Sequence, residues 1–153
     1  MPASSFENMQ VCLLGVGAFT AVGRSAPATA AAVRTAYAGF SEHPYVVDQV
    51  GNPMTVARAP LEVEEAEGID RILELSKTSI VEAIAVLGKA VPKGLTMPVV
   101  VGVPAPRPGR PENLEALLRS QIEAFLLDDF GIAASIETIS AGHASGLMAI
   151  EAG

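Results

Sequence analysis

Apolar positions along this chain follow two periods. Val11-Cys12-Leu13-Leu14-Gly15-Val16-Gly17 is a short apolar run closed by glycines, the pattern of a strand covered on both faces, and Pro98-Val99-Val100-Val101-Gly102-Val103 repeats it. Elsewhere the spacing is helical. Ile69, Ile72, Leu73, Ile80, Ile84 and Leu87 form one stripe. Leu114, Leu117, Leu118, Ile122, Phe125 and Leu126 form another, predicting a helix over 112–130 that Gly131 stops. Residues 27–38 are alanine-rich, with Pro27 suited to a first helical turn and Gly39 to a stop, and predict an earlier helix. Residues 134–139 predict a further strand, and 146–150 the opening of a last helix.

Between these elements the punctuation changes. Pro44, Gly51, Asn52 and Pro53 break 40–60 into two strand-like pieces, 45–47 and 54–57, which predict a hairpin or a loop excursion. Residues 104–111 carry four prolines and two arginines and predict a loop. The acidic run 62–67 reads as a solvated lead-in to the following helix. Strands and helices alternate, so the predicted class is α/β, a mainly parallel sheet covered by helices, in one domain spanning 1–153. A closing helix of about two turns is marginal alone and leads us to expect a partner or a continuation of the chain.

Composition sharpens this picture. Half of the residues are hydrophobic and 18% are charged, which excludes a disordered chain. The net charge is −7 with no Lys/Arg cluster, which argues against nucleic acid as a partner. Cys12 is the one cysteine, so neither an internal disulfide nor a cysteine zinc site can form, and we expect a reducing, cytoplasmic setting without a metal or cofactor. Residues 1–10 lack the basic start of a signal peptide, and no apolar stretch reaches the roughly 18 residues of a membrane span.

Two constellations invite a chemical reading. Gly15, Gly17 and Gly23 suggest a dinucleotide fingerprint, but Thr20 occupies the place of its third glycine, and a tight turn is the expectation. A small nucleotide-binding α/β domain is accordingly the third reading of the function. The second constellation is Ser140-Ala141-Gly142-His143-Ala144-Ser145-Gly146-Leu147-Met148-Ala149. A strand, a run of small residues, one large polar side chain and a helix start make a nucleophile elbow, where unpaired N–H groups and a helix dipole face a developing oxyanion. Ala144 sits where a G-x-S-x-G hydrolase places serine, so a serine hydrolase is disfavoured. His43, before Pro44, reads as a surface residue, and Ser145 as a helix-start residue whose hydroxyl bonds locally.

Gly142-His143-Ala144-Ser145-Gly146 resembles the elbow of β-ketoacyl synthases, which have a small-Cys-small-Ser-Gly run entering a similar helix. The resemblance extends to the apolar opening through Gly23, to Ala36-Tyr37-Ala38-Gly39, to Ile69-Asp70-Arg71 and Glu82-Ala83, and to Val99 through Val103, in the family's order. It implies the N-terminal half of a thiolase-like fold and acyl transfer of fatty-acid or polyketide type, with an acyl thioester or acyl carrier protein as partner. It also implies pairing through 134–139, as a homodimer or with a missing C-terminal half. His143 stands where the family has its nucleophilic cysteine. A neutral imidazole at a helix N-terminus would hold an acyl group only as a labile species, and the family's other catalytic residues belong to its second half. The second reading is therefore a non-catalytic acyl-binding or structural partner of the same fold.

Overall fold

A computed structural model describes residues 12–61, 68–87, 94 and 96–152. The acidic run and Val11 lie outside the described residues. Those described form a mixed α/β structure with four helices and two small sheets, one of them parallel.

Helix α1, Ala26–Arg34, begins where Ser25 adopts an extended backbone and its hydroxyl accepts the Ala28 N–H at 3.3 Å. It ends four residues short of the predicted end. The Thr35 hydroxyl donates to the Ala31 and Ala32 carbonyls, and Ala36 turns the chain through a left-handed backbone conformation (φ 55°) that the sequence pattern assigned to Gly39. The expected hairpin is present and longer than its two apolar pieces: β1, Phe40–Val47, pairs antiparallel with β2, Pro53–Ala57, with an irregular register between Glu42 and Val47. Asp48 closes it, its carboxylate accepting the N–H groups of Val50 at 2.8 Å and Asn52 at 2.9 Å.

Helix α2, Gly68–Ala85, carries the first predicted stripe. Strand β3, Thr96–Val103, helix α3, Leu114–Phe130, and strand β4, Ala133–Ser140, then make one βαβ unit, with β3 and β4 parallel from Thr96↔Ala133 to Val103↔Ser140. Gly131 ends α3 in the left-handed conformation, as its sequence position predicts. Leu114, Leu118, Ile122 and Leu126, spaced at four residues, press one face of α3 onto Val103 and Ile136 of the sheet, and Leu73 brings α2 into the same core. Lys77 lies over the Phe125 ring, 5.6 Å from its centre, where α2 meets α3.

Side chains alternate across a strand, so Val99, Val101 and Val103 face α3 while Gly102 faces the other way. There the final helix α4, Ser145–Ala152, crosses close enough that a Cβ on Gly102 would lie 2.8 Å from the Ser145 carbonyl carbon. β3 is thus covered more fully on its α3 side than on the other, short of the two-sided cover that its apolar run predicts.

The first apolar run departs from its expectation. Residues 12–17 form no strand, and Leu13 and Leu14 are 82% and 66% exposed. A strand needs a ladder partner, and this segment lies against helix α2 instead: a Cβ on Gly15 would collide with the Ala83 carbonyl oxygen, and one on Gly17 with that of Ser79. Glu82 secures the segment, its carboxylate accepting the Ala18 N–H at 2.9 Å and the Ala26 N–H at 3.0 and 2.9 Å, at the start of α1. The parallel sheet is correspondingly smaller than predicted, with two strands among the described residues. No helix among them is long and apolar enough to cross a membrane.

Candidate functional site

β3 and β4 end side by side at Val103 and Ser140. In parallel α/β sheets the space beyond the carboxyl ends of the strands is where ligands bind. Here that space lies between the loop leaving β3 and the turn leaving β4.

The turn has the predicted bend. Gly142 takes a left-handed conformation (φ 58°), which lets the chain reverse after Ala141, and Gly142–Ala144 form a single turn of 3₁₀ helix running straight into α4. Ser145 is buried, and its hydroxyl donates to the Gly142 carbonyl at 2.7 Å, the local bond expected of a helix-start serine. His143 projects from the middle of the bend and is exposed. Its ring makes no hydrogen bond with any described residue.

Gly102, Val103 and residues 104–107 form the facing wall, and with Gly142, His143 and Ser145 they enclose an open cleft of about 520 Å³. Arg107 stands on that wall. Two glycines make the cleft: Gly142 permits the bend, and Gly102 lets the first turn of α4 approach β3.

His43 lies elsewhere. It is half-buried in β1 rather than in a surface loop, and its Nδ1 accepts the N–H groups of Tyr45 at 3.1 Å and Val46 at 3.0 Å, shaping the strand irregularity around Pro44. It borders a separate cavity of about 400 Å³ with Phe19, Arg58 and Arg71. The two histidines are thus not brought together. Gly15, Gly17 and Gly23 also form no open cradle: the first two abut α2, and Gly23 closes a tight turn in which Thr20 N–H donates to its carbonyl at 2.8 Å. Among the described residues no three His, Cys, Asp or Glu side chains gather as a metal site.

One feature of the site escapes the sequence pattern. Arg110, read there as part of a loop, is nine-tenths buried; it pairs with Glu115 at 2.6 Å and donates to the Ser140 hydroxyl at 3.1 Å, two residues before Gly142. The one hint is an arginine five positions ahead of a glutamate at a helix start, which many exposed helices share. Comparisons of the chain with protein-family models, with curated proteins and with solved structures find no match.

Proposed function

We propose that this chain is a β-ketoacyl synthase-like acyltransferase region of thiolase-like fold, whose His143 cleft receives an acyl thioester. The observation that carries the reading is the elbow: an exposed imidazole at a small-residue bend, beyond the ends of two parallel strands and at the first turn of a helix. An acyl carbonyl in this cleft would have its oxygen near the N-terminal end of that helix, whose dipole stabilises negative charge. One imidazole nitrogen attacks the carbonyl carbon, the C–S bond breaks, and the thiolate leaves with the ring proton. The resulting acyl-imidazole is hydrolysed by water. The chain has two histidines, and with His43 on the hairpin the cleft lacks a second imidazole to drive decarboxylative condensation.

A second reading has its own support. No described residue orients the His143 ring, as a working nucleophile or base requires. This favours a non-catalytic acyl-binding partner with the same elbow. The outer edge of β4 is unpaired among the described strands, which suits self-association or pairing with a C-terminal half.

Acid-quenched mass mapping after incubation with acetyl- or octanoyl-coenzyme A tests the first reading. We expect an acyl adduct on the His143 peptide that is absent from His143→Ala. No adduct, together with thioester hydrolysis no faster than in buffer, overturns the acyl-transfer reading and leaves the binding one. A light-scattering mass equal to one chain would count against pairing.

A further inference from the structure

The loop that forms one wall of the cleft has no regular structure to hold it, yet it is fastened at both ends. Residues 107–110 make a tight turn, with the Arg110 N–H donating to the Arg107 carbonyl at 3.0 Å and Gly109 in the positive-φ position that follows a proline in such turns. From that turn the Arg110 side chain reaches inward, only 10% exposed. Nη2 meets the Glu115 carboxylate at 2.6 Å, on the first turn of α3. Nη1 donates at 3.1 Å to the Ser140 hydroxyl, which itself donates to the Pro104 carbonyl at 3.3 Å. The other Glu115 oxygen accepts from the Thr138 hydroxyl at 3.4 Å. The buried Arg110 Nε has no acceptor among the described residues, so the guanidinium is ordered through its two outer nitrogens.

We propose that Arg110 is a positioning residue for the His143 cleft. Its guanidinium clamps the first residue beyond β3 and the last residue of β4 to α3, and so fixes the distance between residues 104–107 and the His143 bend. The proposal takes the cleft as the functional site from the reading above, but the clamp is a claim about geometry. It requires the fork of arginine: a lysine ammonium is a point charge and does not reproduce two directed bonds to Glu115 and Ser140.

The two histidines provide an internal comparison. Diethyl pyrocarbonate carbethoxylates accessible neutral imidazoles, and mass mapping gives the His143 to His43 rate ratio in one sample. With Arg110→Ala the facing wall withdraws, so the ratio should rise three-fold or more, with the amide resonances of residues 142–145 displaced. Arg110→Lys should not restore either readout. Ser140→Ala, which keeps the Arg110–Glu115 ion pair and removes the hydroxyl that joins Arg110 to the Pro104 carbonyl, should raise the ratio about two-fold, and it decides the question if Arg110→Ala does not fold. A ratio within 1.5-fold of the parent in every folded variant, with those resonances unmoved, overturns the clamp. If the ratio shifts but His143 never acquires an acyl group, the clamp stands and the acyl-transfer reading falls. If the adduct forms equally in folded parent and Arg110→Ala with an unchanged ratio, the clamp alone falls.

Discussion

Replacing Gly102 with alanine tests the contact that brings α4 over the sheet. The new Cβ would stand 2.8 Å from the carbonyl carbon of Ser145, 2.9 Å from its oxygen and 3.0 Å from the Gly146 nitrogen. All three are backbone atoms, so no side chain can swing aside. Ordinary contact for a Cβ begins at 3.4 Å, so the first turn of α4 must retreat by about 0.6 Å. Overpacking of this kind costs about 1–3 kcal/mol. For a chain of this length a loss of about 2 kcal/mol lowers the melting temperature by about 4–8 °C. The matching control is Gly146→Ala, at the second residue of the same helix, where nothing lies within 4 Å of the added carbon. There alanine relieves the entropic penalty of a helical glycine and should stabilise by roughly 0.5–1 kcal/mol. Calorimetry on both variants should thus give shifts of opposite sign. A Gly102→Ala protein that melts no earlier than the parent would refute the close packing of α4 on β3, and with it the placement of His143.

Three further predictions follow from other parts of the fold. Leu118→Ala removes a side chain with 0% exposure from the centre of the α3 stripe and should cost about 3–4 kcal/mol in urea denaturation; a loss under about 1 kcal/mol would mean that α3 does not seal the core. Glu82→Gln leaves one oxygen where two accept backbone N–H groups and should cost about 1–3 kcal/mol, with faster hydrogen exchange at Ala18 and Ala26; unchanged exchange there would remove Glu82 as the anchor of the first segment. The backbone N–H groups of Asn52 and Val50 hold the Asp48 carboxyl below its ordinary value of 3.8. A depressed folded value means the contribution is complete above the unfolded value and lost as pH falls through the folded one, so the Val50 and Asn52 amide resonances should move only below about pH 4, and not in Asp48→Asn.

The βαβ unit was legible because its signals are local. Four leucine and isoleucine positions at four-residue spacing fix which face of α3 is buried, Gly131 supplies the left-handed stop, and 99–103 has the composition of a covered strand. The bend at Gly142 was legible for the same reason, since small residues between a strand and a helix start, glycine above all, permit the sharp turn. The first segment misled because 12–17 has a strand's composition, and whether a ladder partner lies beside it depends on residues far along the chain. Its glycines answer to Ser79 and Ala83 of α2, more than sixty positions away. Arg110 escaped for a related reason: its partners Glu115 and Ser140 meet only once β4 has folded back beside β3.

Chemical-shift mapping with an unreactive acyl-coenzyme A thioether tests the central claim without requiring turnover. Amide perturbations should concentrate at residues 102–107 and 142–145 and weaken in His143→Ala. Perturbations centred instead on the Thr20–Gly23 turn, or none at millimolar ligand, would contradict the assignment of the His143 cleft as an acyl-thioester site.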